Sequence, residues 1–470
     1  MSLSWNNLLS DKRIRDLYKT SIGKNTTEHR TEFERDYDRA IFCSPFRRLH
    51  DKAQVFPLEP NDTVRTRLAH SLEVSTIARD MSKTIAKWLF KEKKEIDEEQ
   101  AEAIQTIAAT CGLLHDLGNP PFGHAGEDAI REWFRKQGSS FFKRLRKDKK
   151  KGSKCQYARD FLNFEGNAHT IRLLSRLQWL TDEYGLNLTC GTMSALCKYI
   201  APSDKINKKF HERKKVGYFA SENDLIQKIR KETGTGTVKN PITFIVEACD
   251  DIAYSIADIE DAIKKGVVSR DSVTESLKDL GKDKIYRRVR GGIKSILEKD
   301  DNFKGPKGCK GRDYDYAWAE AFRVHAINQS VLAVIEAFKE KYKNIMDGKY
   351  PGELFEDSAA NSFIKTCKKI GTSRIYQSKG NVKLELMGRK VIQDMMTLFW
   401  EGITGYNPEN KASFPNKIYS LLSENYRKAY EKSVAQGLPR KYCQMQFVTD
   451  YICGMTDTFA CSLHKELMNG

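Results

Sequence analysis

Residues 112–124 read Gly-Leu-Leu-His-Asp-Leu-Gly-Asn-Pro-Pro-Phe-Gly-His, and the interpretation of the whole chain starts from them. An apolar helical pattern over about 98–117 runs into this stretch. Gly118 suits the left-handed position that follows a helix end, and the two prolines after it prevent the helix from continuing. A further helix is predicted to begin near Gly123. The stretch therefore predicts two helices joined by a tight turn.

Four polar side chains surround this turn: His115, Asp116, His124 and Glu127. Adjacent residues of a helix point about 100° apart, but at a helix C-terminus both can approach one ion, and the helix dipole favours a cation there. His124 and Glu127 are neighbours on the next helix and form a plausible acid/base pair. The alternatives are a solvated helix end with a capping histidine, and a Glu127 that only serves the dipole of its helix.

Helical periodicity dominates the rest of the chain. A long helix is predicted over about 62–92, with Asn61-Asp62 as its cap, and an apolar one over 241–264. Further helical stretches are predicted at about 11–19, 165–181, 190–200, 314–346, 355–369, 387–401, 413–433 and 441–467. A small hairpin is expected from Arg374–Tyr376 and Val382–Leu386 around Lys379-Gly380. The fold class is therefore mostly α, with at most this small β-hairpin.

Two of the predicted helices carry polar groups on apolar segments. His70 lies inside the helix predicted over about 62–92, and Asp250 lies inside the apolar helix over 241–264. Asp250, Tyr254 and Asp258 recur every four residues and share one face. Carboxylates in such a segment are costly to bury unless they are paired or bound to a metal. A partly solvated acidic face is the alternative.

Composition limits the classes of protein and partner. The net charge of +17 favours anionic partners such as nucleotides, nucleic acid or membrane surfaces, although a generally basic proteome would explain it too. Three basic loops are predicted, at 143–154, 205–215 and 285–312. They favour binding of nucleic acid, and solvated, disordered loops are the alternative. No apolar run is long enough to span a membrane, and no secretory signal is recognised. The 11 cysteines form no CxxC pair, which indicates reduced thiols and a cytoplasmic location.

The order His70, His115-Asp116, Asp250 resembles the metal site of the HD-domain phosphohydrolases. The sequence blocks around it resemble the bacterial dGTP triphosphohydrolases more specifically, in family order and across nearly the whole chain. These blocks are Phe46–Leu49, Lys52–Glu59, Val64–Ser71, Leu114–His124, Phe164–Asn167, Glu247–Tyr254 and Tyr451–Asp457. No Walker A motif and no GxGxxG after a strand is found, so P-loop chemistry is not supported.

The resemblance implies roles for individual residues. It makes His70, His115, Asp116 and Asp250 the metal ligands, and His124 and Glu127 the catalytic pair. Groups near the triphosphate would be Arg67, Asn167, Lys198, Tyr199 and Arg323. The sugar pocket would be formed by Gln54, Tyr254 and Asp258, and Glu385 would read guanine. Members of the family also contact the base with arginines near the C-terminal third of the chain. In this sequence that region includes residues 410–419, which contain no arginine, so the preference for guanine stays open.

The implied reaction is metal-dependent hydrolysis of dGTP, or of other dNTPs, to deoxynucleoside and triphosphate by attack of water at the α-phosphorus. Two histidines and two carboxylates suit Mn²⁺, Mg²⁺, Co²⁺ or Fe²⁺ better than a thiolate-type zinc site. The resemblance also implies a homo-oligomer, a hexamer, with single-stranded DNA as a further ligand. The alternatives are an HD-type nucleotide phosphodiesterase or phosphatase, and a single-stranded nucleic-acid-binding regulator with a vestigial site.

The predicted organisation has three parts. Residues 1–60 form an N-terminal segment that contributes to the active site, and residues 61–270 form the HD-domain catalytic core with basic loop insertions. Residues 271–470 form a C-terminal helical region that completes the nucleotide pocket and supplies oligomer contacts.

Overall fold

The structure is a computed structural model that describes residues 2–19, 29–59, 61–142, 145, 153–179, 182–299 and 312–468. The prediction of a mostly α fold is confirmed. Among the described residues the only sheet has two short parallel strands, β1 (Ala201–Pro202) and β2 (Val216–Tyr218). None of the described helices combines the length and the apolarity needed to cross a membrane.

The α-helices of the first part of the chain are α1 (Trp5–Leu8), α2 (Glu32–Phe42), α3 (Ser44–Arg48), α4 (Arg67–Trp88), α5 (Glu98–Leu114), α6 (Gly123–Lys136), α7 (Gly138–Phe141), α8 (Ser153–Leu162), α9 (Gly166–Arg172), α10 (Cys190–Leu196), α11 (Asn223–Glu232) and α12 (Pro241–Lys264). Those of the second part are α13 (Arg270–Ser276), α14 (Lys284–Lys299), α15 (Arg312–Met346), α16 (Asn361–Ile370), α17 (Lys379–Gly405), α18 (Phe414–Ser420), α19 (Glu424–Ala435), α20 (Arg440–Cys453) and α21 (Asp457–Met468). Short 3₁₀ segments lie at Ile14–Leu17, Leu49–Asp51, His211–Arg213, Ala220–Glu222 and Lys278–Leu280, and π-helical turns lie at Leu89–Lys93, Leu173–Leu177 and Gly371–Ile375.

Helix α12 runs through the middle of the fold and packs against α4, α5 and α15. Its start at Pro241 is well defined, because the Asn240 side chain accepts a hydrogen bond from the backbone N–H of Ile242 and Pro241 occupies the first turn. Most of its side chains are buried, as expected of a helix that is apolar on nearly all sides. This packing sets Asp250, in the middle of α12, against the helices that carry His70 and His115.

The C-terminal helices cover α6, the helix that begins just after residues 117–122, the linking turn. Helix α17 packs along α6 and contacts α18, α20 and α21. The indole N–H of Trp133 on α6 donates to the Thr397 hydroxyl of α17 at 2.9 Å. The backbone N–H of Phe122, just before α6, donates to Asp457 at 2.9 Å, so residues near the end of the chain lie beside the start of α6.

The hairpin predicted around Lys379-Gly380 is wrong. Residues 371–375 form a π-helical turn, and α17 starts at Lys379 with Ser378 as its N-cap. The apparent alternation in Val382–Leu386 covers only five residues, whereas Gly388, Val391, Ile392 and Met395 then continue at helical spacing and are buried. The longer apolar face that packs on α6 decides the local structure.

The prediction of a basic loop over 285–312 is also wrong where the structure describes it. Residues 284–299 form α14, with Ile285, Val289, Ile293 and Leu297 buried at a spacing of four. This stripe packs on α15 and outweighs the high local charge. Residues 300–311 and nearly all of the predicted loop at 143–154 lie outside the described residues. The third basic segment, 205–215, contains turns and one 3₁₀ segment and leads into β2.

Helix α4 starts five residues later than predicted. Asn61 does not cap it, because its side chain accepts hydrogen bonds from the backbone N–H and the hydroxyl of Thr63 and so stabilises a turn. Thr66 is the N-cap instead. This start places Arg67 in the first turn of α4 and His70 one turn further on.

Candidate active site

Three helices bring His70, His115 and Asp250 together. One ligand atom of each lies within 4.8 Å of the others. The Asp250 Oδ1 atom is 3.2 Å from Nε2 of His70 and 3.5 Å from Nε2 of His115. Asp116 adjoins this group, with its Oδ1 atom 3.7 Å from His115 Nε2. The structure thus brings together all four residues that the sequence predicts as metal ligands.

Two glycines permit the close packing that this cluster needs. A Cβ atom on Gly112 would lie 2.5 Å from the Cα of Ser75, so only glycine lets α5 approach α4 this closely. A Cβ atom on Gly118 would lie 2.2 Å from the backbone nitrogen of Thr170 and from the Gly166 carbonyl oxygen. Both glycines flank the His115-Asp116 pair and fix its depth in the fold.

The donor set fits a metal ion. Nδ1 of His115 lies 2.8 Å from the Gly112 carbonyl oxygen, and donation to that oxygen leaves Nε2 with a lone pair. Nε2 is buried and has no hydrogen-bond partner among the described residues, although it faces the other ligands. A backbone carbonyl oxygen that orients an imidazole in this way is usual for metal-binding histidines. Two imidazoles and two carboxylates suit a first-row divalent cation.

Neighbouring charges outweigh the effect of burial on the pKa values of His115, Asp116 and Asp250. Burial disfavours charge on His115, but the carboxylates of Asp116 and Asp250 outweigh it and raise the pKa of His115 to about 8. Burial also disfavours ionised Asp250, yet the Lys198 ammonium, 3.1 Å away, and His115 hold the pKa of Asp250 well below its usual value. In the same way Arg67 outweighs burial and lowers the pKa of Asp116. Both carboxylates are therefore charged, as ligands of a cation must be.

His124 and Glu127 form a hydrogen-bonded pair at the start of α6. Nδ1 of His124 lies 2.9 Å from Oε2 of Glu127, and Oε1 of Glu127 accepts the backbone N–H of Gly166 at 2.7 Å. The Glu127 side chain is 1% exposed, whereas that of His124 is 79% exposed and faces the cavity. The hydrogen bond to Glu127 raises the pKa of His124. The pair therefore holds a protonatable imidazole in a set orientation.

A cavity of about 670 Å³ opens beside the cluster and the pair, a size suited to a nucleotide. It is lined by most of the predicted substrate-binding residues: Gln54, Arg67, Asn167, Lys198, Tyr199, Tyr254, Asp258 and Glu385. Asp116, His124 and Asp250 also line it. Residues from the N-terminal segment, from the central helices and from α17 thus meet in one cavity.

Arg323 is the one predicted substrate-binding residue that the structure does not bring to this cavity. Its Nε atom lies 2.8 Å from a carboxylate oxygen of Glu260, which is also paired with Arg65 and Lys264. These residues form a charged group beside α12, and none of them lines the cavity.

Several cavity residues were missed by the reasoning from sequence. Lys368 lines the cavity from α16, Thr372 from the π-helical turn that follows it, and Tyr376 from the position directly after that turn. Their spacing of four residues was a usable signal for a shared helical face. Lys368 pairs with Asp251 at 2.7 Å, and its ammonium lies 3.9 Å from the centre of the Phe355 ring.

Lys214 and Lys215 also line the cavity, although the sequence suggested a solvated loop here. Lys215 lies 3.1 Å from the buried carboxylate of Glu165. Lys214 lies 2.7 Å from Glu353, which also contacts His211. His211, Glu353 and Glu356 have the spacing of a metal site, but Lys214 already occupies the shared carboxylate, so this group forms an ion-pair cluster.

The predicted sugar pocket contains an unusual carboxyl group. Asp258 is buried and lies 2.5 Å from the Tyr376 hydroxyl. Burial, reinforced by Asp261 and Asp250 and opposed by the Tyr376 hydrogen bond, raises the pKa of Asp258 to about 8. Near neutral pH this side chain therefore holds a proton and can act as a hydrogen-bond donor.

Two family models match the chain: the HD domain over residues 67–165 and the phosphohydrolase-associated domain over residues 356–466. The first match contains His70, His115 and Asp116 and the His124–Glu127 pair. A deoxyguanosinetriphosphate triphosphohydrolase-like protein of Listeria innocua is 37% identical over 99% of each chain. The deoxyguanosinetriphosphate triphosphohydrolase of Yersinia enterocolitica is 28% identical over 96% of each chain, and that of Klebsiella pneumoniae is 29% identical over 93% of each chain.

Proposed function

Because this chain belongs to the family of the deoxyguanosinetriphosphate triphosphohydrolases and their like proteins, which are HD-domain phosphohydrolases, we propose that it hydrolyses dGTP, and other dNTPs, to deoxynucleoside and inorganic triphosphate. One observation carries the proposal: the His/Asp cluster and the His124–Glu127 pair border the same cation-lined cavity. Arg67, Lys198, Lys214, Lys215 and Lys368 converge there on the space that a triphosphate would fill.

The cations of the cavity would bind the triphosphate and neutralise the charge that spreads over it in the transition state. Arg67 and Lys198 are held against the ligand carboxylates of Asp116 and Asp250, so they would act at the α-phosphate. Lys214, Lys215 and Lys368 would take the phosphates beyond it. Lys368 replaces Arg323 in this role, because Lys368 lines the cavity and Arg323 is paired with Glu260.

The metal site would be formed by His70, His115, Asp116 and Asp250. A divalent ion held there, for which the donors suggest Mn²⁺, Mg²⁺ or Co²⁺, would polarise a phosphoryl oxygen and lower the pKa of a water molecule. The ordered bond from His115 to Gly112 and the pairing of Asp116 with Arg67 and Asn119 would keep the ligands in place.

His124 would deliver the proton that the reaction needs. Water attack at the α-phosphorus breaks the bond to the 5′ oxygen, and that oxygen must gain a proton to leave as the deoxynucleoside. Glu127 raises the pKa of His124 and so favours the imidazolium form. The 5′ oxygen would take this proton, and the proton lost by the attacking water would return to the imidazole or to solvent.

The deoxyribose and the base would lie on the other side of the cavity. Tyr254 would limit the room beside C2′, and neutral Asp258, bonded to Tyr376, would donate to the 3′ hydroxyl. Glu385 lines the cavity and could accept hydrogen bonds from the guanine edge. No residue of 410–419 is among the described lining residues, so guanine preference rests on Glu385 and on the names of the relatives.

A substrate panel tests the proposal. The protein is incubated with each dNTP and with GTP, with Mn²⁺ and with EDTA, and phosphates and nucleosides are separated by ion chromatography. We expect triphosphate and deoxynucleoside in equal amounts, only with the metal, with dGTP fastest and GTP slowest. Pyrophosphate or orthophosphate as the first product would contradict the proposal and favour a phosphodiesterase or phosphatase.

A further inference from the structure

The linking turn, which we define as residues 117–122, separates the two halves of the catalytic apparatus. Asp116 ends the first half and His124 opens the second. The turn is held in a costly conformation, because Phe122 has a φ of 61°, a left-handed value that non-glycine residues rarely adopt. Contacts from elsewhere must maintain this geometry.

Asp457, the first residue of α21, supplies one such contact. Its Oδ1 atom accepts the backbone N–H of Phe122 at 2.9 Å, and its Oδ2 atom accepts the backbone N–H of Ala53 at 3.0 Å. The side chain is almost completely buried. A carboxylate can accept both bonds at once, whereas an amide offers only one acceptor oxygen. Asp457 therefore fixes the strained residue just before α6 by a bond that spans 335 residues of sequence.

Lys52 supplies the contact on the other side of the linking turn. Its buried ammonium donates to the Asn119 carbonyl oxygen at 2.7 Å and to the Cys453 carbonyl oxygen at 2.8 Å. Asn119 in turn donates from its side chain to Oδ1 of Asp116 at 2.7 Å. Burying an ammonium group is costly unless it is hydrogen-bonded, and these two carbonyl oxygens supply its hydrogen bonds.

We propose that Lys52 and Asp457 are positioning residues for the hydrolysis: together they hold the linking turn so that the Asp116 side of the metal site and the His124–Glu127 pair keep their relative placement. This inference rests on the proposed function for its kinetic readout but not for its structural one. Asp457 acts on the start of α6, and Lys52 acts on Asn119 and through it on Asp116.

The neighbouring Thr458 provides a matched control. Its hydroxyl donates to Asp51 at 2.7 Å. This bond connects the start of α21 to residues 51–53, as the bond from Ala53 to Asp457 does, but it does not involve the linking turn. Thr458→Ala and Asp457→Asn therefore both weaken the tie between α21 and residues 51–53. Only Asp457→Asn also weakens the hold on the linking turn, because its single acceptor oxygen cannot accept from both Phe122 and Ala53 as the two carboxylate oxygens do.

The experiment compares full-length wild type, Asp457→Asn and Thr458→Ala by hydrogen exchange of the peptide that covers residues 117–126, and by kcat and KM for the dNTP that wild type cleaves fastest. We expect faster exchange and a kcat lower by about 10- to 100-fold in Asp457→Asn, with KM nearly unchanged. Thr458→Ala should match wild type in both measurements.

The role of Asp457 and the role of Lys52 can each fail while the proposed function holds. Faster exchange with unchanged kcat, equal effects of Thr458→Ala, or loss of the folded state in Asp457→Asn would overturn the role of Asp457. Lys52→Met tests the other side: it should weaken Mn²⁺ binding, measured by calorimetry without nucleotide, by about 10-fold or more. Unchanged Mn²⁺ affinity would overturn the role of Lys52. If wild type cleaves no dNTP, the proposed function fails, while the exchange and calorimetry still report on the linking turn.

Discussion

Asp250 is the residue on which the charge balance of the candidate site depends. One carboxylate oxygen faces the imidazoles of His70 and His115, and the other faces the Lys198 ammonium. The same side chain therefore links the proposed metal site to a cation that lines the cavity. A buried group that serves two partners in this way cannot be replaced without loss of both functions.

We predict that Asp250→Ala abolishes metal-dependent turnover while the protein stays folded. The variant loses a ligand, so Mn²⁺ affinity should fall by more than the roughly 10- to 100-fold that is usual for outer-shell partners. Lys198 is 30% exposed and can turn to solvent, which keeps the structural penalty small. Calorimetry measures metal binding, product analysis measures turnover, and circular dichroism checks the fold. Full activity would exclude Asp250 from the site.

Asp258 leads to a prediction about pH. Its pKa is about 8 in the folded protein and about 4 in an unfolded chain. Between these values the folded state holds a proton that the unfolded state lacks, so the contribution of Asp258 to stability falls as pH rises through this window. The Asp258→Asn variant has no carboxyl group to titrate at this position, so it does not lose this stability as the pH rises. Its unfolding free energy relative to wild type should therefore rise from pH 5 to pH 8, at most by about 1.4 kcal/mol per pH unit.

Urea denaturation at several pH values, in EDTA, measures this difference. Because the amide of Asn does not titrate, any effect of the substitution on packing should be the same at every pH. A difference between Asp258→Asn and wild type that does not change with pH would mean that Asp258 is already ionised in the folded protein at pH 5.

At the scale of elements, the crossing of α4 and α5 decides where the proposed metal ligands His70 and His115 meet. Helix α4 carries His70, and α5 ends beside His115. Their backbones approach at Gly112, where a Cβ atom would overlap the backbone of Ser75. The helices could be predicted from their apolar periodicity, but the depth of their contact depends on a side chain that glycine does not have.

We predict that Gly112→Ala destabilises the protein by about 1–3 kcal/mol, the usual cost of overpacking, and weakens Mn²⁺ binding because His70 and His115 move apart. Gly291→Ala is the matched control. Gly291 lies in α14, and no described residue comes within 4 Å of its Cβ position, so alanine there should add about 0.5–1 kcal/mol through helix propensity. Urea denaturation measures both variants. Equal stability of Gly112→Ala and wild type would show that α5 can shift at no cost.

At the scale of the whole molecule, a buried ionic group joins the central helices to the C-terminal ones. Arg172 on α9 makes bidentate contact with Asp450 on α20, at 2.8 and 2.7 Å, and also contacts Glu222 at 3.1 Å. His169 lies 3.3 Å from Asp450 and 3.1 Å from the Gly118 carbonyl oxygen. The C-terminal region is therefore connected to the linking turn through the core.

We predict that Asp450→Ala lowers the free energy of unfolding by about 3–5 kcal/mol, because it leaves the Arg172 charge buried and only partly compensated. The double variant Arg172→Met/Asp450→Leu should recover only part of this loss, since it removes the buried Arg172 charge but leaves the buried Glu222 carboxylate without that partner. Denaturation followed by circular dichroism and by fluorescence measures both. A loss below about 1 kcal/mol in Asp450→Ala would mean that the two regions fold without this contact.

Much of the fold and of the candidate site could be predicted from local patterns. Helical periodicity predicted the helices that carry His70, His115 and Asp250, and the Gly-Asn-Pro-Pro turn predicted the break before His124. The hairpin near Lys379 and the loop over 285–299 were wrong, because the apolar faces of α17 and α14 are defined by the helices that cover them.

The sequence by itself determined which residues could bind a metal or transfer a proton and on which helix or helix end each of them lies. Helix ends, caps and four-residue spacings depend on neighbours along the chain, so they can be predicted from local patterns. Only the tertiary structure decided which cations reach the cavity. Arg323 and Lys368 both lie on helices, but Glu260 holds the first away from the cavity and α16 presents the second to it. The structure also decided that Lys52 and Asp457 hold the linking turn, because contacts across hundreds of residues depend on packing, which no local pattern encodes.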